Sequence, residues 1–362
     1  MAMAAFLSIQ VLLLLSHLFT ASAANFTCSA TATAKCTALI GFVSSNATTL
    51  AAIQSLFQIK STVSLLGANS LPLSTTSSFP VAAGKPFRIP IPCSCVNGIG
   101  ASDGIPKYTV KSGDILDDIA TKKFERFVTI DEIAAANGIP NPNLIQPGQS
   151  LRIPLPCSCD PVDGAERVHL AHKVASGSSF DQIAADFGVN KSTLMAINRI
   201  DDPTTLQAAQ ILDVPLRACS SSISKDSMDF GLRLSNGSYA VTANGCVLCN
   251  CTSSFRLSCQ VAQGPYANAS STCPAAKNCG NLNFGESTSS GCEQTTCEYA
   301  GYTNSTGTSS WSILTTSYNG SSSSCTNGEP TSSPSSHAHS FKMNFSKALI
   351  FIQMLLVFLA FC

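Results

Sequence analysis

Tyr108-Thr-Val-Lys-Ser-Gly-Asp-Ile-Leu-Asp-Asp-Ile-Ala120 opens a stretch that closes on Leu151-Arg-Ile-Pro-Leu-Pro-Cys-Ser-Cys159. Its local reading is strand, helix, helix, strand. Tyr108 to Val110 holds β-formers and predicts a short strand. Ser112-Gly113-Asp114 predicts a turn with a helix cap, because short polar side chains there accept from free helical N–H groups. Ile115, Leu116, Ile119 and Ala120 lie at helical spacing and predict a first helix. Phe127 to Asn137 carries Ile130, Ile133 and Ala134, which predict a second. Asn137 and Gly138 both tolerate left-handed backbone and predict its end. Pro147-Gly148 turns the chain into a last strand, Ser150 to Ile153.

The pattern recurs on both sides. Phe87-Arg-Ile-Pro-Ile-Pro-Cys-Ser-Cys95 repeats the closing segment, and Leu212-Asp-Val-Pro-Leu-Arg-Ala-Cys219 is a degenerate further copy. His172-Lys-Val-Ala-Ser-Gly-Ser-Ser-Phe-Asp-Gln-Ile-Ala184 opens the third copy, and the diverged Asn46-Ala-Thr-Thr-Leu-Ala-Ala-Ile53 opens the first. Each copy then reaches an Asn, at Asn69, Asn137 and Asn198. The period predicts three tandem modules of about 45–50 residues, with expected bounds 28–92, 108–155 and 172–216.

The Cys-x-Cys pairs between modules have a geometric consequence. In an extended strand, residues i and i+2 share a face and sit too far apart to bond each other easily. Cys93, Cys95, Cys157 and Cys159 should therefore reach separate partners and tie the modules together, with Cys28 and Cys36 remaining to pair. The spacing alone leaves the connectivity open. Modules this small rarely fold on their core alone, so the bridges matter for stability.

The chain has 17 cysteines, and setting aside Cys362 leaves an even number. An even set in a secreted chain reads as a disulfide framework. An oxidising compartment also disfavours zinc at Cys246-x-x-Cys249-x-Cys251. Residues 219–325 hold ten of these cysteines and few long apolar runs, which predicts a small β-rich or irregular domain held by bridges. Charged residues make up 12% of the chain and the net charge is zero, which excludes the clustered basic face that nucleic acid requires. Trp311 stands alone of its type in the Ser/Thr-rich region and fits a local core.

The two ends predict targeting. Residues 1–24 are uncharged, with an apolar run from Val11 to Leu15 and a small-x-small pattern at Ala21-Ser22-Ala23, and are expected to be a cleaved signal peptide. Ala348 to Cys362 is apolar apart from Gln353 and follows a polar spacer. Together with the small residues near Ser332 and Ser333, this is the pattern of a glycosylphosphatidylinositol anchor signal. The expected anchor is Ser333 or its neighbours Ser332, Ser335 and Ser336, on a stalk spanning 326–336, with 337–362 removed. Sequons at Asn25, Asn46, Asn190, Asn236, Asn250, Asn268, Asn304 and Asn319 predict a glycosylated surface.

The second copy resembles the LysM module. It has Tyr-Thr-Val-x-x-Gly-Asp, the Ile-Ala of the first helix, the Asn ending the second, Pro-Gly-Gln and a closing Ile-Pro, all within 108–154. The third copy has Ala208-Ala209-Gln210 in place of Pro-Gly-Gln, and the first lacks Gly-Asp. The full layout is similar to plant LysM proteins anchored by glycosylphosphatidylinositol. Leu65-Leu-Gly-Ala-Asn-Ser-Leu-Pro-Leu73 and Ile133-Ala-Ala-Ala-Asn-Gly-Ile-Pro-Asn-Pro-Asn143 look most like the branch of chitin elicitor-binding proteins. The resemblance implies an α+β fold: tandem βααβ LysM modules in a disulfide-linked cloverleaf, followed by the cysteine-rich domain. It implies the pairs Cys28–Cys95, Cys36–Cys159 and Cys93–Cys157.

It also puts a sugar ligand on two loops of the second module. They are Ser112, Gly113, Asp114, Ile115, Leu116, Asp117 and Asp118, and Pro140, Asn141, Pro142, Asn143, Leu144, Ile145 and Gln146. Aliphatic side chains suit the apolar faces of N-acetylglucosamine, and amides suit its acetamido group. Leu116 fits a core position equally well, and Asp114, Asp117 and Asp118 fit a helix cap and first turn. Unlike the first and third copies, residues 108–154 carry no sequon, which favours them as the open site.

The implied function is recognition of chitin oligomers at the outer face of the plasma membrane, in innate immune signalling. A LysM receptor kinase is the implied partner, and ligand can bridge two copies of the chain. Residence at plasmodesmata follows from family likeness, with no residue here to specify it. Peptidoglycan and lipochitooligosaccharide present the same sugar and remain as alternatives. A structural wall protein and a hydrolase accessory are weaker readings, since 220–330 has few acids and no His. No catalytic residue, metal or cofactor is expected.

Overall fold

The computed structural model describes residues 26–29, 35–262, 273–276, 278–304 and 311–321. The expected signal peptide, the sequons at Asn25 and Asn268, and the anchor residues Ser332, Ser333, Ser335 and Ser336 lie outside them. Among the described residues no helix is long and apolar enough to cross a membrane.

The first copy folds as β1 (Cys36–Val43), β2 (Thr48–Thr49), α1 (Leu50–Phe57), α2 (Thr62–Ala68), β3 (Pro80–Val81) and β4 (Pro86–Val96). Thr49 caps α1 by accepting from the Ala52 N–H at 3.2 Å. After the hairpin strand β5 (Ile99–Ser102) comes the second copy: β6 (Lys107–Thr109), the short α3 (Leu116–Asp118), α4 (Ile130–Ala136) and β7 (Ser150–Arg152). The third has β8 (Arg167–Lys173), α5 (Phe180–Phe187), α6 (Lys191–Ile197) and β9 (Ile211–Arg217).

One feature recurs in all three. The terminal Asn of the second helix clamps the last strand. Asn137 Nδ2 donates to the carbonyls of Ile133 and Arg152 at 2.8 Å each, and its Oδ1 accepts from the Arg152 N–H at 2.8 Å. Asn69 does the same to Leu65 and Arg88, and Asn198 to Leu194 and Asp213. The expectation of left-handed backbone holds for Gly138, at φ 61°, but not for Asn137, at φ −114°. Asn is needed there for its amide, whose NH2 supplies two donors while its separate oxygen accepts.

The modules interlock through strands and rings. The main sheet has the order β5-β4-β1-β8-β9. Its centre joins the first and third copies, with β1 parallel to β8 in the register Leu39 to Leu170. Phe42 and Phe57 of the first copy stack edge-on at 5.1 Å, and Phe57 meets Phe124 of the second at 5.9 Å. Bridges Cys28–Cys95, Cys36–Cys159 and Cys93–Cys157 close this arrangement.

The cysteine-rich region is β-rich. β10 (Tyr239–Thr242), β11 (Val247–Cys251) and β12 (Leu257–Val261) form one sheet. β13 (Ser287–Ser290), β14 (Glu293–Asn304) and β15 (Trp311–Ser321) form another. Its bridges include Cys219–Cys251, Cys246–Cys273, Cys249–Cys259 and Cys279–Cys297. Cys246, Cys249 and Cys251 are thus all oxidised. Trp311 is half-buried edge-on to Tyr302 at 6.1 Å. This region docks on the first copy: Ser70 Oγ donates to the Gly237 carbonyl and Tyr239 Oη to the Leu71 carbonyl, both at 2.7 Å. The backbones meet so closely that a Cβ on Gly67 would lie 2.0 Å from the Tyr239 oxygen.

A buried pair makes stability depend on pH. His169 Nδ1 lies 2.8 Å from Asp213 Oδ1, and Nε2 lies 2.8 Å from the Asp160 carbonyl. Both nitrogens face acceptors, which only the imidazolium satisfies. Burial pushes the His169 pKa down and nearby Arg233 adds to that, but the Asp213 charge and both hydrogen bonds raise it above the usual 6.5. A raised folded pKa stabilises fully below the unfolded value and is lost as pH rises through the folded one. The stability gap between wild type and His169→Gln should be widest near pH 5.5 and shrink as the solution turns alkaline. Urea denaturation across pH measures it, and a constant gap refutes the charge. The gap is the quantity to read because burial lowers the pKa of His172, which opposes His169 in acid.

Candidate functional site

The two loops assigned to the ligand spring from hydrogen-bonded strand ends. The Val110 N–H donates to the Gln149 carbonyl at 2.9 Å, and the Gly148 N–H to the Val110 carbonyl at 2.8 Å. Loop 112–118 leaves from one side of this junction and loop 140–146 arrives on the other. Each is internally braced. Asn141 Oδ1 accepts from the Asn143 N–H at 3.0 Å, and the Leu144 N–H donates to the Asn141 carbonyl at 3.0 Å. Gln149 Oε1 accepts from the Gln146 N–H at 3.1 Å.

The loop residues divide between surface and framework. Ile115 is 55% and Leu144 70% exposed, which is unusual for large aliphatic side chains in a braced loop. Ser112, Gly113, Asp117, Pro140, Asn141, Asn143 and Gln146 are also exposed, and Pro142 is half-buried. Leu116 is a correction: at 2% exposure its side chain is in the core. Ile145 is half-buried against the same core. Helical spacing marks a stripe but not its edge, so Ile115 turned out and Leu116 turned in.

Asp114 is a second correction. It does not cap the helix, whose N-cap is Ile115 with no side-chain bond. Its Oδ2 instead accepts from the Lys111 N–H and from Tyr108 Oη, both at 2.8 Å. The Lys111 bond, helped by Tyr108, holds the Asp114 pKa below the carboxylate range. Burial and the Asp114 partner push Tyr108 up to about 12. Asp118 pairs with Lys122 at 2.7 Å on the surface.

The first helix of this copy departs from the other two. α3 runs into a π-helix, Ile119–Lys123, in which the Phe124 N–H donates to the Ile119 carbonyl at 3.1 Å. The signal was present in the sequence. The step from Ile119 to Phe124 is one residue longer than from Ile53 to Phe57 or Ile183 to Phe187. An extra residue in a helix is absorbed as a π turn. The second helix begins at Ile130, later than expected, behind a Thr129–Glu132 capping box.

The profile of the LysM domain matches residues 108–154 and 172–215. The chitin elicitor-binding protein of Oryza sativa subsp. japonica is 47% identical over 288 residues, which is 79% of this chain and 79% of that protein. LysM domain-containing GPI-anchored protein 2 of Arabidopsis thaliana is 45% identical, over 83% of this chain and 86% of that one. The chain belongs to the LysM domain-containing GPI-anchored proteins. Among solved structures, the ectodomain of a receptor-like kinase aligns with 50% of this LysM protein and 92% of its own chain, at 22% identity and a TM-score of 0.42. In the LysM framework the loops 112–118 and 140–146 sit at one end of the second module, and the Asn137 clamp holds the helix that precedes the second of them.

Proposed function

We propose that this chain is a non-enzymatic receptor for N-acetylglucosamine polymers, chitin foremost, bound at the loops 112–118 and 140–146. The observation that carries the reading is the exposed aliphatic pair Ile115 and Leu144 on two braced loops rooted at one junction. Such a surface suits the apolar faces of a neutral sugar, and the exposed amides of Asn141 and Asn143 suit its acetamido groups. The names of the relatives agree with it. Residues 28–92 are read as a third, diverged LysM module. Of the described sequons, Asn46, Asn190, Asn236, Asn304 and Asn319 are exposed and Asn250 is half-buried, and glycans on the exposed ones would leave the second module clear.

The chain is held outside the plasma membrane by its lipid anchor. A receptor confined to the outer leaflet needs a membrane-spanning partner to signal, and a LysM receptor kinase fits that role. Polymers long enough to engage two copies gain avidity without new contacts.

Calorimetric titration of residues 25–330 with chitin and peptidoglycan oligomers tests the reading. Leu144→Arg is the clean variant, because Ile145→Arg would disturb the core as well. Leu144→Arg should weaken chitin binding at least about tenfold, the worth of part of one buried leucine. Unchanged binding would move the site elsewhere, and tighter binding to peptidoglycan would change the ligand.

A further inference from the structure

Loop 112–118 hangs on one acceptor. In the turn Lys111-Ser112-Gly113-Asp114, the Asp114 N–H donates to the Lys111 carbonyl at 3.1 Å, and the Lys111 N–H donates back to Asp114 Oδ2 at 2.8 Å. Gly113 supplies the φ of 87° that a type II turn requires at its third residue. The same Oδ2 accepts from Tyr108 Oη, also at 2.8 Å. Tyr108 is itself fixed. It lies in β6, is 8% exposed and meets Phe124 edge-on at 6.3 Å, and Phe124 in turn meets Phe57 of the first copy.

This bond decides which way Ile115 points. Ile115 is extended, at φ −121° and ψ 155°, so Asp114 and Leu116 on either side of it share the opposite face. Asp114 is drawn inward by Tyr108 and Leu116 is in the core, which leaves Ile115 the outward face.

The third copy is a comparison within the same molecule. Ala175-Ser-Gly-Ser178 makes the same turn: the Ser178 N–H donates to the Ala175 carbonyl at 3.2 Å, and Gly177 has φ 82°. His172 stands where Tyr108 does and Ser178 where Asp114 does. Among the described residues neither side chain makes a hydrogen bond, and the His172 ring packs edge-on to Phe187 at 5.0 Å instead. Ser179 takes the place of Ile115 and caps α5.

We infer that Tyr108 and Asp114 are positioning residues for the sugar: their bond holds the turn in its binding form before ligand arrives, and its absence leaves the third copy without a preformed site. The inference rests on the reading of loops 112–118 and 140–146 as the chitin site. The pair acts through Ile115. A loop ordered in advance loses less freedom on binding, so the bond is felt as affinity. Its acceptor is ionised, which makes it stronger than a bond between neutral groups.

The test is calorimetric titration of the full chain, disulfides intact and well below its unfolding transition, with chitin oligomers. Tyr108→Phe should bind about fivefold more weakly, the worth of one hydrogen bond, and its backbone amides should exchange faster within 108–118 alone. Asp114→Ala should lose more, because the Lys111 bond goes too. Asp114→Asn should restore most of the affinity, since its amide oxygen still accepts from both donors. A Tyr108→Phe/Asp114→Ala double variant should bind like Asp114→Ala, because Tyr108 acts only through that acceptor. Wild-type affinity in Tyr108→Phe, or a double variant weaker still than Asp114→Ala, overturns the inference while the chitin site stands. The chitin site itself fails, and takes the inference with it, when wild type binds no chitin or Leu144→Arg binds as wild type does.

Discussion

A Cys93→Ala/Cys157→Ala variant should lose about 3 kcal/mol of folding stability, although the two cysteines lie 64 residues apart. Taken alone, a loop of that length would be worth more than about 4 kcal/mol in unfolded-chain entropy. The other bridges shorten it. From Cys93 the path runs to Cys95, across to Cys28, along to Cys36, across to Cys159 and back to Cys157. Counted that way the loop is about 15 residues, for which the entropic contribution is near 3 kcal/mol. Both cysteines are fully buried, so alanine keeps the site apolar and leaves only a small void. Urea denaturation under non-oxidising, non-reducing conditions measures the loss. A value well above 4 kcal/mol would mean that the remaining bridges do not restrain the unfolded chain as drawn.

Glu125→Ala should cost about 3 kcal/mol and loosen all three modules together. Glu125 belongs to the second copy and is buried at their junction. Its Oε1 accepts from the Ser45 N–H of the first copy at 2.9 Å, and its Oε2 pairs with Lys173 Nζ of the third at 3.3 Å. The side chains are 11% and 19% exposed, so truncating the acid strands a largely buried ammonium. Alanine pays the same left-handed backbone cost as Glu125 at φ 51°, which isolates the side chain's part. Glu125→Gln keeps an acceptor for Ser45 and removes the charge. A Glu125→Leu/Lys173→Met double variant should recover most of the loss, because paired removal leaves no orphan charge. Denaturation of the three variants in parallel decides the matter. A loss below about 0.5 kcal/mol for Glu125→Ala would show that water reaches Lys173 freely.

Local chemistry made much of this legible. The apolar spacing of Ile130, Ile133 and Ala134 marked the second helix, but its start was placed at Phe127, although Thr129 and Glu132 carry the capping-box spacing that begins α4. The recurring Asn was visible as a mark of each copy, but the reading assigned it a backbone role. Only the folded strand showed that its amide clamps Arg88, Arg152 and Asp213. Asp114 failed for the same reason: a carboxylate at that offset fits a cap, and nothing local says that the Tyr108 hydroxyl will reach it first. Of the adjacent pair Ile115 and Leu116, spacing could not say which faced solvent.

The sequence by itself determined the repeat, the βααβ order of its modules and the Cys-x-Cys ties, because caps, periodicity and strand alternation act within a few residues. The tertiary structure alone decided that β1 lies parallel to β8, that Glu125 joins three modules, and that Ser70 and Leu71 of the first copy receive the cysteine-rich region at Gly237 and Tyr239. Those are pairings across long separations, and their free energy depends on surfaces that exist only once the local elements have formed and packed.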